Sequence, residues 1–274
     1  MIDYLQKVRL KNKTAFVVGG LGLIGREVSI AFAMAGAKTI ILDLSDEAGK
    51  LFVKEMCAKG YNVGLTSFDC TDMQEMDNNF SLIIQEYSSP DIFINCSYPR
   101  TEDWAKSSFN DITLKSFQRN VDIHLNSYAW LARLAAESMV KHKKNGSIIQ
   151  LGSIYGIVGQ DLSVYEGLEM QENMTYAAIK GGITNLTRQM ASYYGRFSIR
   201  VNTICPGGLQ GHMAGKSDTQ DPIFVKQYNK KVPMQRMGRA DEVASAALFL
   251  ASEASSYITG QDIYVDGGWS IKGL

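Results

Sequence analysis

A phenol ionises near pH 10 in water, so it acts as a general base near neutrality only where a neighbouring cation favours its ionised form. Tyr176 and Lys180 stand four residues apart in a segment, 175–195, whose spacing predicts a helix, so both project from one face a turn apart. That geometry would let Tyr176 take or give a proton. A Tyr-x-x-x-Lys string also arises by chance on ordinary helices, so its meaning depends on what lies around it.

A second set of residues is built for a phosphate. The apolar run 14–18 leads into Gly19-Gly20-Leu21-Gly22-Leu23-Ile24-Gly25, and a helical pattern begins at once. Glycines permit a tight turn and close approach to a pyrophosphate, and the helix N-terminus offers amide N–H groups to it. Asp43, eighteen residues after Gly25, ends the next apolar run. A carboxylate there can accept hydrogen bonds from the adenosine ribose and repel a 2′-phosphate, which favours NAD(H) over NADP(H). The competing reading is that Asp43 caps the following helix.

Such residues need a frame to bring them together. Seven short apolar runs, at residues 14–19, 39–43, 62–68, 91–96, 147–152, 199–205 and 262–265, alternate with segments of helical periodicity. This alternation predicts an α/β fold, a doubly wound parallel sheet with helices on both faces. No linker or repeat interrupts residues 1–274, so one dinucleotide-binding and catalytic domain is expected. Two segments break the pattern: the acidic 161–174, expected to be an active-site insertion, and 207–236, expected to be a substrate lid.

Composition narrows the function classes. The 274 residues carry 28 Lys plus Arg against 28 Asp plus Glu, so nothing marks a nucleic-acid-binding surface. No apolar run is long enough to span a bilayer and the N-terminus lacks the apolar core of a signal peptide, so a cytoplasmic protein is expected. Cys57, Cys70, Cys96 and Cys205 have no metal-ligand spacing and are expected to be reduced, mostly buried thiols, with no metal site.

Taken in order, these residues resemble the short-chain dehydrogenase/reductase family in its compact, one-domain branch. The matches run from the glycine loop and Asp43 through Asp69, Asn95-Cys96-Ser97, Ser153, Tyr176 with Lys180, Asn202 and Pro206-Gly207 to Asp266-Gly267-Gly268. The resemblance implies that Ser153 hydrogen-bonds the substrate oxygen, Tyr176 is the general acid/base, and Lys180 binds the nicotinamide ribose and lowers the tyrosine pKa. It places Asp69 and Cys70 beside the adenine, and Pro206, Gly207 and Leu209 beside the nicotinamide. Gly19, Leu21, Gly22, Leu23, Ile24, Gly25, Asn95, Cys96 and Ser97 complete the implied cofactor site. It also implies a homotetramer, with a dimer as the lesser form, paired through helices at about 113–140 and 175–195.

Three departures shape the expectation further. The spacing Gly19, Gly22, Gly25 resembles the extended branch of the superfamily, although the chain ends too soon after Asp266 for an extended enzyme's substrate domain. His124 stands where the family has a relay asparagine, and it is either an added proton carrier or a packed helix residue; its backbone carbonyl could still hold the relay water. Ser153 and Tyr176 are 23 positions apart where the family has about a dozen, and the inserted form resembles bacterial oxidoreductases of surface-polysaccharide and flagellin-modification sugar pathways. Arg100, beyond the fourth strand, could hold an anionic group, while Tyr155, Tyr165 and the acidic insertion suit a polar, sugar-like substrate. The expected activity is therefore NAD-dependent oxidation of a secondary alcohol, or the reverse, on a sugar or sugar phosphate. The alternatives are a 3-oxoacyl carrier-protein or other carbonyl reductase, and a non-catalytic dinucleotide-binding protein.

Overall fold

The computed structural model describes residues 2–44, 46–211 and 220–272. Its centre is a seven-stranded sheet of β1 (Thr14–Val18), β2 (Lys38–Asp43), β3 (Val63–Ser67), β4 (Ile92–Asn95), β5 (Ser147–Leu151), β6 (Arg200–Pro206) and β7 (Asp262–Val265). The order is β3-β2-β1-β4-β5-β6-β7, and every neighbouring pair is parallel. The sequence-based expectation of seven strands in a doubly wound sheet is met, each boundary falling within about a residue of its apolar run.

The helices follow from the connections. They are α1 (Tyr4–Lys7), α2 (Leu23–Met34), α3 (Glu47–Ala58), α4 (Met76–Tyr87), α5 (Leu114–Asn120), α6 (Ser127–Lys141), α7 (Met174–Tyr194), α8 (Pro222–Lys231) and α9 (Ala240–Ala251). Alternate strand residues supply two cores. Phe16, Val18, Ile40 and Phe93 pack with α4, α6 and α7 on one face, and Ala15, Val17, Ile92 and Ile94 pack with α2 and α9 on the other. The central strands are covered on both sides, which explains why β1 and β4 are largely apolar, while the edge strands β3 and β7 are only partly buried. The helix anticipated at 113–140 is interrupted by a π-helical turn, Val121–Asn126, which carries His124. No described helix is long and apolar enough to cross a membrane.

The cysteine expectation needs correction. All four are free thiols, but only Cys205 is buried; Cys57 is exposed on α3, and Cys70 and Cys96 are partly open. Cys57 lies on the outer side of an amphipathic helix, while Cys70 and Cys96 sit at strand ends beside the cleft described next.

Candidate active site

Because the sheet reverses direction of winding between β1 and β4, the loops after these strands splay apart and leave a crevice. The crevice has a volume of about 720 Å³ and is walled by the glycine loop, the ends of β2, β4 and β5, helix α7 and the loop after β6. Gly19, Leu21, Gly22, Leu23 and Ile24 line one end. Gly19 has φ +69°, and a Cβ there would meet the Ser97 backbone at 2.6 Å. Gly25 does not line the crevice but lies beneath it, where a Cβ would fall 2.0 Å from the Gly19 carbonyl oxygen. Its role is helix packing, with Gly22 serving as N-cap of α2.

Asp43 faces this loop. Its carboxylate accepts the Leu21 N–H at 2.8 Å and the Leu44 N–H at 2.8 Å. Burial raises its pKa, and the two N–H donors pull against that rise. Asp43 does not cap the next helix; Asp46 does, accepting the Gly49 N–H at 2.6 Å. Asp69 and Cys70 line the same end, and Cys96 and Ser97 the middle. Asn95 is fully buried below them, its Oδ1 accepting both the N–H (3.0 Å) and the hydroxyl (2.7 Å) of Ser97, so it shapes the turn and leaves the wall to Cys96 and Ser97. Pro206, Gly207 and Leu209 line the far end. Residues 212–219, part of the expected lid, lie outside the described residues.

Tyr176 and Lys180 project from the first turns of α7 into the crevice. Lys180 donates from Nζ to the Leu151 carbonyl at 2.8 Å, and Nζ lies 5.6 Å from the Tyr176 ring and 5.2 Å from the Tyr128 ring. Burial dominates the protonation of both. Tyr176 is pushed up to about 12, with the neighbouring Ser153 hydroxyl working to lower it, and Lys180 is pushed down to about 7. In the protein alone, burial is the largest influence on each group.

His124 is fully buried and neither ring nitrogen has a hydrogen-bond partner among the described residues. Burial first, then the Lys180 charge, holds its pKa well below the ordinary value, while the Pro99 backbone acts in the opposite direction. Its backbone carbonyl, expected to be available for a relay water, accepts the Ser127 hydroxyl at 3.0 Å. Asn126 points elsewhere, to Asp122 Oδ1 at 3.1 Å.

Arg100 lies where its place after β4 predicted, and two further expectations are revised. Arg100 lines the crevice, its guanidinium 5.3 Å from the Tyr98 ring. Tyr155 and Tyr165 do not line it; they join an aromatic cluster with Trp269, Phe224 and Tyr228 that seats α8. The insertion is not a substrate-facing acidic surface throughout, because Asp161 pairs with Lys231 of α8 at 2.8 Å and Glu172 accepts the Phe109 N–H at 3.1 Å.

Residues that the spacing did not single out complete the site. Tyr98 and Trp104 meet Tyr176 edge to face, with centroids 6.1 and 6.3 Å away, and meet each other at 5.9 Å. Asn173, whose type and place three residues before Tyr176 are those of an N-cap, accepts the Tyr176 N–H at 2.7 Å. That capping signal was readable in the sequence; Trp104 carried none.

With this geometry in place, the similarities become interpretable. Residues 22–270 match the family profile described as Enoyl-(Acyl carrier protein) reductase. The chain is 29% identical to the post-translational flagellin modification protein A of Campylobacter coli, covering 96% of this chain and 100% of that one. It is 30% identical to the L-rhamnose-1-dehydrogenase of Scheffersomyces stipitis, covering 94% and 96%. A short-chain dehydrogenase of Leptospira borgpetersenii serovar Hardjo-bovis, solved with bound NAD⁺, superposes with a TM-score of 0.81 at 27% identity, covering 98% and 96%. A gluconate 5-dehydrogenase of Burkholderia cenocepacia, solved with NADP and tartrate, shares the fold at a TM-score of 0.86 and 23% identity, covering 98% and 99%. The chain belongs to the short-chain dehydrogenase/reductase family of oxidoreductases.

Proposed function

We propose that this protein is an NAD-dependent dehydrogenase acting on a secondary alcohol of a polar, sugar-like substrate, with residues 1–274 working as one catalytic unit. The observation that carries the reading is the convergence of Asp43, the glycine turn, Tyr176 and Lys180 on one crevice. The glycine turn fits a dinucleotide because it lines the crevice where α2 begins, with Gly22 as the helix N-cap and no side chain at Gly19 or Gly22 to hold a pyrophosphate away. Gly22 and the first turn of α2 would hold the pyrophosphate, Asp43 the adenosine ribose, Asp69 and Cys70 the adenine edge, and Pro206, Gly207 and Leu209 the nicotinamide end. When bound, the nicotinamide supplies the hydride acceptor or donor.

The protein's own residues manage the proton. Ser153 sits 4% exposed beside Tyr176 and orients the substrate hydroxyl. Tyr176 takes that proton during oxidation and returns it during reduction. Lys180, tethered to the Leu151 carbonyl, holds its cationic form most readily once a polar ribose shares the pocket, and it then favours the phenolate. His124, held neutral by burial and the nearby Lys180 charge, serves as an added proton carrier beside Lys180. Arg100 serves an anionic substituent on the substrate. The inserted segment 161–174, joined to α8 through Asp161 and Lys231, closes the outer side.

The test is NADH formation by purified protein with panels of sugars, sugar phosphates and nucleotide sugars, L-rhamnose and D-gluconate included. Turnover of a hydroxylated member with NAD⁺, and little with NADP⁺, is the expected result. Reduction of an acetoacetyl thioester with NADPH, with no panel member oxidised, would overturn the reading.

A further inference from the structure

The insertion begins and ends at one clasp. Gln160 donates from Nε2 to the Asn173 carbonyl at 2.9 Å and accepts the Asn173 N–H at Oε1, 3.2 Å away. The same Oε1 accepts the Tyr165 hydroxyl at 3.2 Å, which ties the clasp to the ring that stacks on Phe224 of α8. Asn173 in turn uses both ends of its side chain. Oδ1 accepts the Tyr176 N–H at 2.7 Å, and Nδ2 donates to the Trp104 carbonyl at 3.4 Å. One residue on, the Met174 N–H donates to the Ser107 carbonyl at 2.8 Å, so the loop after β4 is sewn to the start of α7 at Trp104 and again three residues later.

For helix capping alone, asparagine, aspartate and serine serve about equally. Of these three, only asparagine carries its acceptor and its donor on separate atoms, so that it can reach two backbone groups lying apart, and this position uses both. We propose that Asn173, backed by Gln160, is a positioning residue that fixes Tyr176 against the Tyr98 and Trp104 rings and thereby sets how a substrate ring fits at the reacting oxygen. The longer connection between Ser153 and Tyr176 gains its purpose from this clasp, which turns an insertion into a strut between the lid helix and the catalytic tyrosine. The inference rests on Tyr176 being the proton-transfer residue.

The experiment uses the full chain labelled with 5-fluorotryptophan, whose three tryptophans give separate fluorine resonances, with Trp104 assigned by Trp104→Phe. Asn173→Asp keeps the cap acceptor but loses the donor to Trp104. It should leave the melting temperature and NAD(H) affinity close to those of the parent, move the Trp104 resonance while those of Trp130 and Trp269 stay, and lower kcat by ~10-fold on the best panel substrate. Gln160→Ala, which leaves the cap untouched, should move the same resonance. An unmoved Trp104 resonance in both variants, or a parental kcat in Asn173→Asp, overturns the inference. Retained activity in Tyr176→Phe would instead remove the catalytic reading beneath it, and the fluorine spectrum judges the clasp independently of that result.

Discussion

Tyr176 and Lys180 illustrate how burial sets the chemistry of a pair that sequence spacing can only juxtapose. Replacing Tyr176 by Phe removes one oxygen, so NAD(H) affinity should stay within a few-fold while turnover falls by at least ~10², the lower range for losing a general acid/base; paired binding and steady-state measurements check this. Lys180 permits a test without substrate. Its folded pKa is depressed to about 7, whereas the unfolded chain binds the proton at the ordinary lysine value. The unfolded state therefore holds more protons between those two pH values, and stability must fall as pH drops through that window. Lys180→Met removes the liability, so it should unfold at higher denaturant than the parent at pH 7, by ~1 kcal/mol or more, with the gap closing towards pH 10. Asp43 bears on the cofactor: NAD(H) should bind at least tenfold, ~1.4 kcal/mol, tighter than NADP(H), and Asp43→Ala should shrink that ratio in titrations of both. The identities of Tyr176, Lys180, Ser153 and Asp43 were legible because each occupies a fixed place relative to a strand end or helix turn. Their protonation was not, since it depends on surrounding side chains drawn from Tyr98 to Cys205.

Elements were legible where one local rule decides them and obscure where a distant partner does. The strands read directly, because a parallel strand covered on both faces must be apolar along its length. Gly25 is a similarly local case: a Cβ there would lie 2.0 Å from the Gly19 carbonyl oxygen, and the nearest atoms it meets all belong to the backbone of the turn. Gly25→Ala must therefore shift α2 away from the turn, which should cost ~1–3 kcal/mol of stability and weaken NAD(H) binding by tenfold or more, as denaturation and titration would show. By contrast, the π-helical turn at Val121–Asn126 preserves the apolar periodicity around it, so nothing in the spacing announced that the helix widens at His124. The acidic insertion misled for a related reason. Its charges suggested an open surface awaiting hydroxyl groups, yet Asp161 finds Lys231 seventy residues later and Glu172 finds the Phe109 amide sixty-three residues earlier. Partners at that separation are supplied by topology, which local composition does not encode.

At the scale of the molecule, the face formed by α6 and α7 shows what the fold leaves uncovered. Trp130 on α6 is 40% exposed, and Tyr193 on α7 and Phe197 just beyond it are 49% and 40% exposed. Each of these rings lies beneath an arginine, with Arg133 4.7 Å from Trp130 and Arg196 4.1 Å from Tyr193 and 5.1 Å from Phe197. The same helix α7 presents the small residues Ala177, Ala178 and Gly181, whose lack of bulk lets another helix approach closely, while Gly182 packs on Leu125 of its own chain, where a Cβ would meet the side chain at 2.9 Å. A surface of rings at the margin and small residues at the centre is self-complementary about a two-fold axis, the arrangement closed homo-oligomers use. We therefore expect two chains to pair through this face, with a subunit contact of ordinary size, ~800 Å² per partner, and a second two-fold contact through the tail at 260–269 to join two such pairs into a tetramer. Sedimentation equilibrium at micromolar concentration should give the mass of four chains. Ala178→Arg, which places a long cation in the centre of the face far from Asp43 and the glycine turn, should lower the mass while leaving NAD(H) affinity in place. A parent protein that sediments as a monomer would overturn the expectation, because rings and small residues would then be exposed on α6 and α7 without a partner to cover them.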